Sequence, residues 1–133
     1  MNEYRSLWQE LVKVDLGKPD GINDGTYLLI GIIGGIRIIT SKMGKEMAFA
    51  VLKDFNGEIG LVFFPVFWLK YGNRIRENEV VALTARFQKD NNSRRDFIVC
   101  GMQNINKLRQ QAAFTLPGRR LKKAMNRGRK LRT

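Results

Sequence analysis

Any chemistry this chain of 133 residues performs must proceed without histidine, for it has none. That removes the commonest general base and the commonest metal ligand. No carboxylate pair has the setting of an acid–base or metal site. Glu77 and Glu79 begin a predicted strand, while Asp54 and Glu58 flank a predicted turn, where Asp54 is expected to cap nearby amides. The lone cysteine, Cys100, sits in an apolar stretch and is expected to be a buried thiol. There is no phosphate-cradling Gly-Lys-Ser or Gly-Lys-Thr loop, and Gly34-Gly35 falls mid-strand. No catalytic residue, metal or cofactor is therefore expected, and a binding module is favoured over an enzyme. What remains is a set of cations around an aromatic: Arg37, Lys42, Lys45, Phe49, Lys53, Lys89, Arg94 and Arg95. Such groups neutralise phosphates and stack on flat rings.

The charge is lopsided along the chain. All 12 acidic residues lie at or before Asp96, alongside 14 Lys or Arg up to residue 106, so that body is near neutral. From Lys107 onward there are 10 Lys or Arg and no acid, which accounts for most of the net charge of +12. A block of this kind attracts polyanions by releasing their counterions. As a solvated tail it would serve solubility alone.

The elements that must position the cations follow from apolar spacing. Residues 3–14 place Tyr4, Leu7, Trp8, Leu11 and Val12 at helical intervals, which predicts an amphipathic helix with Trp8 as a packing anchor. Residues 15–25 hold three Gly, one Pro and three Asp, and read as a linker. A first strand spans 27–40, where Gly31, Gly34 and Gly35 allow coiling and a bulge, and Arg37 points outward. Residues 47–54 form a second strand. Alternation puts Ala48, Ala50 and Leu52 inside and Met47, Phe49, Val51 and Lys53 outside. Asn56-Gly57 predicts a tight hairpin turn with positive φ, leading to a third strand over 59–64, in which either alternating set could face inward. Pro65 opens a helix whose Phe67, Trp68, Tyr71 and Ile75 form an apolar stripe, expected to plug one end of the sheet. Residues 80–87 and 95–105 are the fourth and fifth strands, joined by a polar loop over 88–94. A short helix over 107–114 precedes a stretch too charged and glycine-bearing to order itself.

Five strands with a helix between the third and fourth give an all-β class with small α content, the order of the OB-fold barrel. The expected organisation is an N-terminal helix and linker over 1–25, an OB barrel over 26–106 and a basic tail over 107–133. OB-folds bind oligonucleotides across strands two and three, between the loops joining strands one to two and four to five. The first loop offers Lys42 and Lys45, the second Lys89 and Arg94 with Arg95 beside it, and Phe49 is the stacking candidate. Single-stranded nucleic acid is the expected partner; nothing in the residues separates DNA from RNA. A protein-interaction barrel, docking through the N-terminal helix and the exposed strand face, is the alternative. No apolar run is long enough to span a bilayer, and the N-terminus lacks the order of a secretory signal, so a cytoplasmic site is expected.

Several runs together resemble a known family. They are Gly31-Ile32-Ile33-Gly34-Gly35-Ile36-Arg37, Lys42-Met43-Gly44-Lys45, Met47-Ala48-Phe49-Ala50-Val51-Leu52-Lys53-Asp54, Asn56-Gly57 and Val62-Phe63-Phe64-Pro65, with Tyr71 after them. The order is similar to the OB domain near the C-terminus of the bacterial DNA polymerase III alpha subunit, over residues 2 to about 106. The Phe49, Leu52 and Asp54 pattern is shared with barrels of class II aminoacyl-tRNA synthetases. The resemblance implies single-stranded DNA binding in replication, contact with other replisome subunits, and Phe49 in the place of a phenylalanine that stacks on an anticodon base. The chain departs from the family in having no polymerase body and in its stretch after Lys107.

Overall fold

The computed structural model describes residues 1–89 and 96–115, without the side chains of 112–115. Five strands form: β1 (Gly25–Thr40), β2 (Glu46–Lys53), β3 (Glu58–Phe63), β4 (Val80–Phe87) and β5 (Phe97–Gln103). Helix α1 (Arg5–Leu11) precedes them, α2 (Pro65–Tyr71) falls between β3 and β4, and α3 (Ile105–Thr115) follows. The sheet closes on itself in the order β1-β2-β3-β5-β4, with β3 and β5 parallel and every other pair antiparallel. Residues 1–103 make one compact unit and α3 begins a second. The Asn104 side chain caps α3 by accepting from the Lys107 amide at 3.0 Å.

β1 serves two partners because it is long and broken by glycine. Its first half pairs with β4 and its second with β2, with a register shift between Gly34 and Arg37. Gly35 has φ +61 there, a conformation that favours glycine. The Ile36 amide within this bulge donates to Glu77 Oε2 at 3.0 Å. The bulge sets which face the following residue takes, and Arg37 emerges exposed opposite Phe49.

The core settles the alternation that the third strand left open. Ile59, Leu61 and Phe63 face inward, against Ala48, Ala50 and Leu52 of β2. Phe67, Trp68 and Ile75 join the same core from α2 and the turn after it. Gly72 continues that helical path into a short 3-10 turn, and a Cβ on it would stand 2.8 Å from the Trp68 ring, so glycine is required by contact.

Three expectations are corrected. Residues 15–25 do not merely link: Leu16 and Ile22 lie in the core with Val14. Isolated apolar residues among glycines and aspartates carry no period that would reveal this. Cys100 is exposed, because alternation along β5 gives the interior to Phe97 and Val99. Asn56-Gly57 uses no positive φ. The hairpin is a four-residue loop, 54–57, in which the Asp54 side chain accepts from the Asn56 and Gly57 amides at 2.9 and 3.1 Å. Asp54 thus caps the turn as expected.

Gly57 is needed for a different reason. A Cβ there would stand 2.7 Å from the Leu16 carbonyl oxygen and 3.0 Å from the Gly17 Cα, because the chain before β1 crosses over the turn. Gly57→Ala is expected to cost about 1–2 kcal/mol of stability through this backbone overlap. Urea unfolding should show a lower midpoint with an unchanged slope; an unchanged midpoint would mean the segment is not seated on the turn.

The first helix packs onto the same turn. Trp8 Nε1 donates to Asp54 Oδ2 at 3.0 Å, the Trp8 and Phe55 rings lie 5.0 Å apart, and the Arg5 guanidinium sits 4.9 Å from the Phe55 ring centre. Among the described residues no helix is long and apolar enough to cross a membrane.

Candidate nucleic-acid interface

The outer face of β1 and β2 gathers the cations and the aromatic. Phe49 stands outside the closed sheet, half-buried, directly across from Arg37 on β1 and Val62 on β3. The Arg37 guanidinium lies over its ring, 5.4 Å from the centre, a cation–π distance. Two positions along the same face, Ile39 and Met47 are paired, so the surface continues apolar toward the end of the ribbon.

That end carries Lys42 and Lys45 on a tight, internally bonded loop. The Ser41 amide donates to the Lys45 carbonyl at 2.7 Å, the Gly44 amide to the Ser41 carbonyl at 2.9 Å, and the Lys45 amide to Ser41 Oγ at 3.2 Å. Gly44 takes φ +79 to close it. Both lysines are exposed, and Lys45 precedes Phe49 by four positions, roughly 13 Å at the rise of a strand. Phe49 and the two lysines therefore share one continuous ribbon.

The remaining candidates are placed differently. Lys53 is exposed at the far end of β2, but it faces Glu58 across the β2–β3 ladder. Lys89 is exposed just after β4, and its amide donates to Asp24 Oδ1 at 2.8 Å, which ties the loop's start to the beginning of β1. Arg94 and Arg95 lie outside the described residues.

Asp96, which sequence reasoning did not single out, sits against the outer face. A Cβ on Gly60 would overlap the Asp96 carboxylate, so this acid lies over β3 beside Val51. The signal was present in Gly60 itself, since glycine inside a strand marks a close approach. Of the described residues, Asp96 and Glu58 stand near the Lys53 end of the face, and Lys42 and Lys45 near the other. Among the described residues, no three of His, Cys, Asp or Glu come together to hold a metal ion.

Residues 27–103, from β1 through β5, match the family model of an OB-fold nucleic acid binding domain. The chain belongs to that family. The OB-fold domain is also similar to the DNA polymerase III subunit alpha of Treponema pallidum, 30% identical over 112 residues, which cover 82% of this chain and 9% of that protein. The corresponding subunit of Borreliella burgdorferi is 31% identical over 70 residues, covering 50% of this chain and 6% of that protein. The chain thus spans less than a tenth of the length of these curated relatives. A solved mitochondrial single-stranded DNA binding protein from S. cerevisiae superposes with TM-score 0.48 at 12% identity, over 62% of this chain and 94% of that one.

Proposed function

We propose that the OB-fold domain binds single-stranded DNA in the setting of a replicative polymerase and carries out no bond-making or bond-breaking itself. The observation that supports this most directly is the Arg37–Phe49 stack on the outer face, joined by the same ribbon to Lys42 and Lys45. A base stacks on this pair while the loop lysines take phosphates, which is sequence-tolerant binding. Lys89 adds a cation just after β4, and Arg94 and Arg95 are further phosphate partners by their place in the sequence. The cations after Lys107 add phosphate affinity of lower specificity. Affinity is modest alone and gains from tethering to a larger assembly.

A fluorescence titration with oligo-dT, oligo-rU and duplex DNA at two salt concentrations tests the reading. Oligo-dT should bind more tightly than duplex and weaken steeply with salt. Replacing Lys42 and Lys45 together by alanine should flatten the log–log salt slope by about 0.7 for each phosphate partner lost. Lys53→Ala should change it far less, because Glu58 already faces that lysine. Equal affinity for duplex and single strand would leave only a nonspecific basic chain.

A further inference from the structure

Protein docking through the N-terminal helix is disfavoured, because Trp8 is engaged with Asp54 and Phe55 and Leu7 is buried. Among the described residues, the two most exposed large hydrophobic side chains are on α2. Phe67 and Trp68 carry the buried side of that helix, while Val66 is 84% exposed and Leu69 91% exposed. With Pro65 and Trp68 they line a groove of about 620 Å³, and Lys45 and Glu46 line it from the start of β2. Single exposed aliphatics are ordinary; two neighbouring ones along a groove mark a contact surface.

The groove is poorly suited to bases. Among the described residues Trp68 is the single aromatic lining it; that side chain is 8% exposed and its ring is covered by Gly72. It offers no free ring face for stacking, whereas Val66 and Leu69 fit aliphatic side chains. Charge narrows the partner further. Lys42 and Lys45 lie on the loop side, and Lys70 and Arg74 extend from the helix side, held 5.2 and 5.7 Å from the Tyr71 ring centre. Among the described residues, Glu46 is the one acid lining the groove.

We propose that this groove docks an acidic amphipathic helix of another protein. Its apolar side chains, at i, i+3, i+4 and i+7, seat on Val66 and Leu69, and its carboxylates meet the flanking cations. The groove shares Lys45 with the proposed phosphate-binding loop but not the Arg37–Phe49 stack, and Leu69→Glu, which should leave oligo-dT binding unchanged, separates the two readings.

The test uses the full chain with labelled Val and Leu methyl groups, followed by NMR. The probes are a synthetic helix with leucines at those positions and glutamates elsewhere, the same peptide with lysines for glutamates, and oligo-dT. The acidic peptide should shift the Val66 and Leu69 methyl signals. Leu69→Glu and Lys45→Glu should each weaken it about tenfold or more while thermal melts stay unchanged, since both side chains are exposed. The proposal is overturned by no shift with the acidic peptide, by equal binding of the basic one, or by unaffected binding in the variants. Shifts produced by oligo-dT in place of the peptide, or by raising the protein concentration alone, assign the groove to nucleic acid or to a second copy and overturn it as well.

Discussion

Asp54→Ala is expected to lower folding stability by about 3 kcal/mol, because one carboxylate serves three donors. Asp54 is 9% exposed at the end of β2, and it accepts from Trp8 Nε1 at 3.0 Å and from the Asn56 and Gly57 amides at 2.9 and 3.1 Å. A hydrogen bond to a charged acceptor contributes roughly 1.5–3 kcal/mol, so three full bonds would suggest more. Asn56 is exposed, however, and its amide recovers water when the carboxylate is gone. Trp8 and Gly57 are half-buried and recover less. The loss also frees α1, whose hold on the turn runs through Trp8, Phe55 and Arg5.

A double-mutant cycle with Trp8→Phe isolates the indole bond in denaturant unfolding. The two residues touch, so a coupling of about 0.5–3 kcal/mol is expected. Costs that simply add would show that the indole bond contributes nothing. Trypsin provides an independent reading, since Asp54→Ala should speed cleavage at the exposed Lys13 if α1 lifts from the turn.

How much of this was legible depended on whether a residue's role is local. Strand period placed Phe49 outside and Ala48, Ala50 and Leu52 inside, because alternation needs nothing beyond the strand itself. The bulge at Gly34-Gly35 was legible for the same reason. Gly57 was misread: its dipeptide suggests a left-handed turn, whereas the requirement is the close passage of Leu16, a residue over forty positions earlier in the chain. At Gly60 the glycine signals a close approach, but that Asp96 is what approaches cannot be read until the parallel pairing of β3 with β5 is known. In α2, apolar residues occur on nearly every side, so periodicity could not say that Val66 and Leu69 would be the two left outside. The exposure of Lys42 and Lys45 was readable because a loop between predicted strands is exposed almost by definition.

Phe49→Ala is expected to weaken oligo-dT binding by on the order of 1–3 kcal/mol while leaving the salt slope unchanged, because it removes a ring and no charge. Its thermal melt should remain near that of the unaltered chain. A phenylalanine in the interior costs about 3–5 kcal/mol when truncated, and Phe49 is only half-buried on the outer face. Arg37 makes the test sharper, since its guanidinium already covers the ring at 5.4 Å. An incoming base must stack on the guanidinium plane or slip beneath it. Arg37→Lys keeps the charge and loses the plane, so affinity should fall with the slope intact. Arg37→Ala loses both, and the slope should also flatten by about 0.7. If the arginine were only a phosphate partner, the lysine variant would bind as tightly as the original. If Phe49→Ala loses binding only in step with a collapsed melt, the ring is a packing element and the stacking site lies elsewhere on the sheet.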